Sequence, residues 1–532
     1  MKHARRITRR RLIGQAAAGG LGLGAGGLLA PWRRPAVAAA NPAVVVMQGV
    51  DPETLDPQFG ESGIMANVLS NVVEGLTAYD RNMNVVPFLA ESLRVLDDKV
   101  TWRTVLRDGI KFSNGRPLNA EAVKFTVDRT LDPKMRAQGL NDPFPSRSGV
   151  VRVNIVNAKT VDIVLREPNV IFPVFLYFLY MLEPNYYSST PPQRTAVAPV
   201  GTGPWTVSEW VKGDHLTMVA NNGYWRGAPH VREYRWRPVP EKATRLNSLI
   251  RGEGDIATHL DPDDIPIIQR VDRLRVSTAP GSRRVHIGFP CDVARYHDRR
   301  VRYALSSAVD YNGLAKGLLG QLGPKPVSTV LVAADVWRNP ALHPFEYNPQ
   351  KAKALLAEAK FPMNEPIRIY VPVGRYLKGE DAARAVAGYL RNVGLKADAA
   401  PLDWSVYTDK MRSPKGMDDL YLLGLGSRFN GPEDLSIVTT GQIWDQTKWV
   451  TSTENGPKFN ALYKQLSSTF DPAQQKKLAF QMEALFVEEA PWINLWIEPG
   501  ASGVNRRVTW QDSGGGDRLE FWLPGEGDVR YT

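Results

Sequence analysis

The amino-acid sequence predicts an α/β protein with two or three domains. Its 532 residues are too many for one hydrophobic core. Hydrophobic residues make up 43% of the chain and charged residues 23%, which is an ordinary balance for a globular protein. Segments with the alternation of strands and segments with helical spacing follow one another along the chain, so both element types are expected throughout.

The first forty residues have the features of an export signal. Residues 8–13 read TRRRLI, which fits a twin-arginine motif, and a mildly apolar, glycine-rich stretch follows. Three alanines at 38–40 supply the small side chains that a signal peptidase needs. We therefore expect residues 1–40 to be removed on export. A transmembrane anchor is the alternative, but the stretch is short and rich in glycine for a membrane span.

Net charge and cysteine content narrow the possible partners. The formal net charge is +11, but residues 1–40 contain many arginines and no acidic residue, so most of the excess belongs to the signal. We therefore expect no nucleic-acid partner. The single cysteine, Cys291, excludes an intramolecular disulfide framework and a multi-cysteine metal site. It also lies too far from the cleavage site to carry a lipid anchor.

The segment 106–126, LRDGIKFSNGRPLNAEAVKFT, predicts a compact supersecondary unit. A strand over 100–106 leads into two tight turns that flank a short strand at 110–112. Asn119 is a predicted helix N-cap, with Glu121 in the first turn, where the helix dipole favours an acid. Nothing in this unit predicts catalysis.

Further helices and strands follow the same rules. Helices are predicted after Asp298, with Asp310 closing that helix, after Asn348 and Asp471, and over 384–392. Apolar runs predict strands at 285–289 and 492–496. The segment 199–205, PVGTGPW, predicts a sharp loop that enters a strand.

The sequence contains no recognisable catalytic or metal-binding motif. None of the seven histidines forms a pair with metal-ligand spacing, and no G-x-S-x-G elbow is present. The acidic cluster at 261–264 lacks the loop spacing of an EF-hand and is interpreted as a helix-start cap or an exposed turn. We therefore expect no enzyme activity, no cofactor and no metal ion bound by the protein.

Several of these segments together resemble one protein family. The 106–126 segment, LDP at 55–57, PFLAES at 87–92, PVGTGPW and NPQKAKALLAEA at 348–359 are similar to motifs of the solute-binding proteins that serve ABC importers of dipeptides, oligopeptides and nickel, known as family 5. The matches occur in the family's order from residue 55 to residue 493. The resemblance therefore extends over most of the mature chain.

The resemblance implies a two-lobed periplasmic binding protein fold. The first lobe carries an extra subdomain, the ligand cleft lies between the lobes, and the chain crosses between them twice, with 285–289 and 492–496 as the candidate crossings. The implied boundaries are a signal peptide at 1–40, the first lobe at 41–288 with its inserted subdomain near 81–196, the second lobe at 289–495, and a return to the first lobe at 496–532.

The implied function is solute capture. The family resemblance describes an exported, periplasmic, monomeric protein that binds a peptide-like or other small solute and delivers it to an ABC transporter permease. Two alternatives stay open at this point. One is a secreted hydrolase of peptides or sugars, and the other is a metal-chelate binder of the same family.

The candidate ligand contacts come from two regions of the chain. In peptide-binding relatives, the strand equivalent to the start of LYLLGLGSRFNGPEDL (420–435) leads to an acidic residue that holds the peptide's amino group. Here Ser427 and Arg428 take the glycine and acidic positions, followed by Phe429. A slip in the alignment would instead bring Glu433 or Asp434 into the acidic position.

The other candidates are weaker. Trp404 matches an aromatic position that often borders the cleft, and Ser62, Gly63 and Met65 follow the LDP segment at the mouth of the cleft. Core packing or an exposed loop is the alternative for each of them. If Arg428 faces the ligand, its fixed positive charge disfavours a free ammonium group and favours a carboxylate, a phosphate or a carbonyl.

Replacing Arg9 and Arg10 together by lysine should leave the uncleaved precursor in the cytoplasm, because the twin-arginine route requires that pair. Cell fractionation and immunoblotting measure the result. The matched control replaces Arg5 and Arg6 by lysine, which should leave export unchanged. Normal periplasmic accumulation of the Arg9/Arg10 double mutant would contradict the assignment of the signal.

Overall fold

The computed structural model describes residues 43–59, 63–80, 84–137, 148–322, 328–331, 337–413, 415–426, 431–439, 445–511, 522–523 and 527–531. The segment from Pro42 to Thr532 forms one compact unit. The predicted signal peptide at 1–40 lies outside the described residues. Within them, no helix is long and apolar enough to cross a membrane.

A ten-stranded mixed sheet organises this unit. Its strands lie in the order β14-β13-β15-β12-β16-β11-β1-β10-β9-β8. The strands are β1 Val44–Gln48, β8 Trp205–Val211, β9 His215–Ala220, β10 Glu233–Pro238, β11 Ile256–Ala257, β12 Leu274–Gly288, β13 Pro366–Pro372, β14 Lys396–Leu402, β15 Leu420–Gly426 and β16 Trp492–Asn505.

Three smaller sheets complete the strands that the structure describes. A four-stranded antiparallel sheet has the order β4-β5-β7-β6, and two further sheets each pair two short strands. Their members are β2 Thr77–Tyr79 with β3 Val85–Pro87, β4 Ala90–Val95, β5 Thr101–Leu106, β6 Val150–Asn157 and β7 Thr160–Leu165, and β17 Trp522–Leu523 with β18 Gly527–Asp528.

Helices connect most of the strands. The α-helices are Gly63–Leu69, Ala120–Leu131, Pro133–Ala137, Phe172–Phe178, Pro184–Ser189, Pro192–Thr195, Lys242–Arg251, Ile265–Gln269, Ala294–His297, Arg299–Ser307, Tyr311–Leu319, Pro349–Glu358, Gly379–Asn392, Trp404–Arg412, Trp449–Ser452, Gly456–Ser468 and Pro472–Glu489. The 3₁₀-helices are Pro262–Asp264, Gly320–Leu322 and Pro432–Val438.

The two longest strands, β12 and β16, join the two lobes. The first half of β12, Leu274 to Ala279, pairs with the end of β16 beside β11, and its second half, Arg283 to Gly288, pairs with the start of β16 beside β15. The register shifts between Ala279 and Arg283, where the chain passes from one lobe to the other. Both predicted crossing strands lie at the second-lobe ends of this pair.

Gly281 lies at the register shift, where the close approach of β16 leaves no room for a side chain. A Cβ atom built there would lie 1.8 Å from the carbonyl oxygen of Glu498 on the neighbouring strand. Any larger residue therefore has to push β12 and β16 apart at the crossing.

Separate hydrophobic cores lie on the two sides of the crossing and in the inserted subdomain. The first lobe packs residues such as Trp205 and Trp236 around β1, and the second lobe packs residues such as Leu305 and Leu422 around β13 to β15. Residues between 76 and 181 form a third core around the four-stranded sheet. The predicted domain boundaries stay a proposal, which this distribution of core residues supports.

Three of the predicted helix caps are confirmed. The side-chain oxygens of Asn119, Asn348 and Asp471 accept hydrogen bonds from the backbone N–H groups of Ala122, Lys351 and Ala473, at 3.1, 2.9 and 3.0 Å. These bonds satisfy donors that the first helical turn leaves without a partner.

Two local predictions were wrong. The short strand expected at 110–112 is only an isolated bridge between Lys111 and Pro117. Asp310 does not close the helix after Asp298, which ends at Ser307. Asp310 begins the next helix instead, because its carboxylate accepts the N–H of Gly313 at 2.9 Å. An aspartate that bonds to the following backbone favours a helix start over a helix end.

Asn348→Ala should lower the free energy of unfolding by roughly 0.5–2 kcal/mol, because the N–H of Lys351 loses its acceptor. Chemical denaturation measures the change. Asn348→Asp keeps a capping oxygen and serves as the matched control, with stability close to that of the wild type. Solute affinity should not change, and a large loss of affinity at unchanged stability would place Asn348 in the ligand site.

Candidate functional site

A cavity lies between the two lobes, next to the β12–β16 crossing. The space between its lining atoms, open solvent included, is about 510 Å³. The first lobe contributes the loop after β1, the start of the helix Gly63–Leu69, the helix Lys242–Arg251 and His259. The crossing strand contributes Arg283, and the second lobe contributes residues 374–377, which follow β13. A solute in this cavity would therefore contact both lobes.

The cavity wall is rich in positive charge. Lys242, Arg245, Arg283 and Arg375 all line it. Lys242 is ion-paired with Asp261 at 2.8 Å, and Arg283 with Glu498 at 3.0 Å. The remaining two arginines have different environments, which decide what the cavity can bind.

Arg245 lines the cavity and also holds two neighbouring backbone segments together. It is 4% exposed, and its guanidinium donates to the carbonyl oxygens of Val239 at 2.6 Å and Thr258 at 3.1 Å. Burial lowers its pKa, and the carboxylates of Asp261 and Asp264 act against that shift through space. Arginine stays protonated nevertheless, so the group adds a positive charge to the wall.

Arg375 lies in the turn after β13, which begins with Gly374 at φ 65°. Its guanidinium carbon lies 5.0 Å from the ring centre of Trp404 and 5.6 Å from that of Tyr376. Its Nε is buried and has no hydrogen-bond partner among the described residues. Burial lowers the pKa of Arg375, and the positive charge of Arg283 is the next cause. The two rings therefore position a cation that still has a donor to satisfy.

His259 is the neutral member of the wall. Burial lowers its pKa well below 6.5, and the charges of Arg283, Arg245, Arg375 and Lys242 lower it further, so the ring is uncharged at neutral pH. Its Nδ1 lies 3.1 Å from the hydroxyl oxygen of Thr258, whereas its Nε2 is buried and has no partner within the part of the chain that the structure describes.

The hydrogen-bond network around His259 assigns its tautomer. The Thr258 hydroxyl donates its hydrogen to the carbonyl oxygen of Met47 at 3.4 Å, so the Thr258 oxygen accepts a hydrogen bond from the N–H at His259 Nδ1. A neutral imidazole with its proton on Nδ1 has an acceptor lone pair on Nε2. The cavity therefore offers a donor at Arg375 and an acceptor at His259.

The predicted contact residues have different positions in the structure. Gly63 lines the cavity, whereas Met65 is 2% exposed and packs in the first-lobe core. Trp404 is half-buried and reaches the cavity through Arg375, on which it stacks. Ser62, Ser427, Arg428 and Phe429 lie outside the described residues, so their roles stay predictions.

Asp434, the alternative amine-binding acid of the 420–435 segment, already has an arginine beside it. Asp434 is fully buried, and its carboxylate lies 3.6 Å from the guanidinium of Arg284, which is also fully buried. Separating this pair to hold a ligand's ammonium group would leave Arg284 as a buried charge without its carboxylate, which is costly. This arrangement disfavours Asp434 as the amine-binding residue.

Sequence reasoning missed Arg245, His259 and Arg375. One available signal was their position, since Gln48 and Gly374 lie at or just after the carboxyl ends of β1 and β13. Ligands of open α/β sheets bind outside such strand ends. No spacing rule connects Arg245 with Arg375, which are far apart in the sequence.

The described residues contain no cluster of three or more histidine, cysteine, aspartate or glutamate side chains that could hold a metal ion. The donors at the cavity are guanidinium groups and one imidazole. These groups suit an organic solute better than a bare cation.

Comparison with known families and curated proteins gives a consistent result. Residues 84–443 match the family described as bacterial extracellular solute-binding proteins, family 5. The glutathione-binding protein GsiB of Shigella flexneri is 26% identical over 475 residues, which cover 88% of this chain and 91% of the relative.

Solved structures share the fold. The dipeptide-binding protein of Pseudoalteromonas sp. SM9913, solved with Met-Leu, has a TM-score of 0.82 and 19% identity, covering 92% of this chain and 100% of that chain. NikZ of Campylobacter jejuni, solved with Ni(L-His), has a TM-score of 0.77 and 20% identity, covering 88% and 95%. Both likenesses support the two-lobed architecture.

His259 should remain uncharged as the pH falls through 6.5, because burial and its cationic neighbours depress its pKa. Histidine hydrogen–deuterium exchange read by mass spectrometry gives the midpoint for each ring. His215 is the internal control, since hydrogen bonds to Asp214 and Glu209 raise its pKa above 6.5. A midpoint for His259 at or above that of His215 would contradict the described environment.

The depressed pKa of His259 also affects how the stability of the protein depends on pH. A histidine with a depressed folded-state pKa adds stability above its unfolded pKa, and this stability is lost as the pH falls below 6.5. His259→Gln should therefore show a smaller loss of stability between pH 7 and pH 5 than the wild type. An equal loss in both proteins would contradict the prediction.

Proposed function

Because the chain belongs to family 5 of the bacterial extracellular solute-binding proteins, we propose that its interlobe cavity captures a small peptide-like solute for delivery to the permease of an ABC importer. Proteins of this family bind their solutes without catalysing a reaction. The cavity beside the β12–β16 crossing is the proposed binding site.

The observation that carries the proposal is that residues of both lobes form the cavity wall. Gly63 and Arg245 come from the first lobe, whereas Arg375 and Tyr376 come from the second. A solute that contacts both groups stabilises the closed arrangement relative to the open one, and the closed form is the state that a permease can distinguish.

Contacts between the lobes already exist around the cavity. The Glu498 carboxylate on β16 accepts the backbone N–H of Leu377 at 2.7 Å, and Lys378 forms an ion pair with Asp263 of the first lobe at 2.9 Å. The Asp263 carboxylate of the ion pair is exposed, so that pair contributes little by itself. A bound solute is therefore the natural source of further closing energy.

The solute class is proposed from the relatives. GsiB is named as a glutathione-binding protein, and the Pseudoalteromonas protein was solved with the dipeptide Met-Leu. Peptide-like solutes of two to three residues are therefore the first candidates. We further propose that the protein is exported through the twin-arginine route, carries no lipid anchor and acts as a periplasmic monomer.

Native mass spectrometry of protein purified from the periplasm tests the function. We expect a low-mass solute that is released on unfolding and rebinds to the refolded protein without chemical change. Rebinding at a hundred times the dissociation constant should add about 2.7 kcal/mol of stability, which thermal unfolding measures.

Two outcomes would contradict this function. Conversion of the released solute into products during incubation would indicate a hydrolase. Absence of any bound solute, together with no stabilisation by glutathione or by di- and tripeptides, would also contradict it. Metal analysis of the released material separates a free solute from a metal chelate.

A further inference from the structure

We propose that a second contact between the lobes, away from the cavity, acts as a latch that holds the protein closed. It joins the inserted subdomain to the end of the second-lobe helix Gly456–Ser468. Two residues from each side form the latch, namely Glu167 and Val170, and Lys464 and Ser467. The inference rests on the proposed function, because a closed form matters only to a protein that opens and closes around a solute.

One part of the latch is a backbone hydrogen bond. The N–H of Val170 donates to the carbonyl oxygen of Ser467 at 2.7 Å. Ser467 lies in the last turn of its helix, where carbonyl groups have no partner within the helix. The inserted subdomain therefore caps the end of a second-lobe helix, and separating the two surfaces exchanges this bond for bonds to water.

Side chains add to that bond. Lys464 forms an ion pair with Glu167 at 2.9 Å, and the ammonium group of Lys99 lies 5.3 Å from the ring centre of Phe470, just beyond the helix. Tyr463, one residue before Lys464, packs against both the second-lobe core and the core of the inserted subdomain. Polar, ionic and apolar contacts therefore all join the two surfaces.

The inserted subdomain is attached to the first lobe in a different way. Arg129 donates to both carboxylate oxygens of Asp56, at 3.2 and 2.9 Å, and the two side chains are 8% and 3% exposed. The side chains of Lys464 and Glu167 are 72% and 53% exposed. Breaking a buried pair leaves charges without a partner, which is costly, whereas water replaces an exposed pair at little cost. The subdomain therefore stays with the first lobe, and the latch is the junction that can open.

The latch is coupled to the cavity through the crossing strands. β12 and β16 join the lobes at one place, so a rotation of the lobes about the crossing displaces the helix Gly456–Ser468 from the inserted subdomain. Part of the free energy that favours the closed form therefore comes from outside the cavity. This part does not depend on the chemistry of the solute, so the latch changes the affinity for every solute by the same factor.

Hydrogen exchange of the Val170 amide measures the latch in protein stripped of its solute. This amide exchanges when its bond to Ser467 opens, so the exchange rate follows the population of the open latch. Glu167→Lys places two like charges together and should accelerate the exchange roughly two- to fivefold. Lys464→Glu should have the same effect. The double variant restores the pair in reverse and should return the rate towards the wild-type value.

Lys124→Glu is the matched control. Lys124 forms an ion pair with Asp128 at 2.7 Å that is also exposed, but both residues lie on one helix of the inserted subdomain. This variant should leave the exchange of Val170 unchanged. Because salt screens exposed charges, a higher ionic strength should accelerate the exchange in the wild type and slow it in Glu167→Lys.

Single-molecule energy transfer tests whether the lobes separate when the latch opens. Dyes are attached to cysteines that replace Asn154 of the inserted subdomain and Lys396 of the second lobe, both of which are exposed. Cys291 is buried and should not react with the dyes. We expect a minor population with a different transfer efficiency in the wild type, and we expect Glu167→Lys to enlarge it by the factor found for hydrogen exchange.

Two results would overturn the inference. The first is equal exchange of Val170 in Glu167→Lys and in Lys124→Glu. The second is faster exchange without a larger minor population, because the contact would then open while the lobes stay together. A failure of the proposed function is a separate result, since it would show itself as the absence of any releasable solute, and neither measurement requires a solute.

Discussion

The pairing of β12 with β16 is the constraint on which the rest of the structure depends. These two strands run through both lobes, so the first-lobe strands on one side and the second-lobe strands on the other belong to one sheet. The buried ion pair between Arg283 and Glu498 joins the same two strands at the crossing, and Glu498 also holds the backbone of Leu377. Because the cavity is built around this point, a change in the crossing changes the distance between the two walls of the site. Gly281 makes that close approach possible.

A buried carboxylate outside the cavity has a structural role. Glu74 is buried and accepts hydrogen bonds from Thr202 and Tyr224, both at 2.7 Å, and from the indole of Trp225 at 3.1 Å. Burial raises its pKa to about 7. Thr202 belongs to the PVGTGPW segment, so one of the segments that carry the family resemblance holds a buried carboxylate in place. The resemblance therefore reports the scaffold, and it says little about the solute.

The sequence could predict the features that depend on local backbone chemistry, and it could not predict those that depend on neighbours in the fold. Helix caps such as Asn119 and Asn348 depend on local backbone chemistry, and the sequence predicted both. The predicted strands at 285–289 and 492–496 lie in the crossing pair because long apolar runs indicate strands that are covered on both faces. Arg245, His259 and Arg375 were not predicted, since what distinguishes them is the set of neighbours that the fold brings to them. The Asp310 error has a related cause, because a helical stripe does not reveal which of two consecutive helices an aspartate will cap.

The position of β16 in the chain has a consequence for the order in which the protein assembles. β11 and the first half of β12 both border β16, which is synthesised more than two hundred residues later. Until then, the first lobe has unpaired strand edges, and such edges associate readily with other chains. The second lobe can build its own core within one continuous segment. Both lobes are therefore completed by the same late strand, because the start of β16 enters the second-lobe core and its end closes the first-lobe sheet. Neither wall of the cavity has its final support until most of the chain has been synthesised.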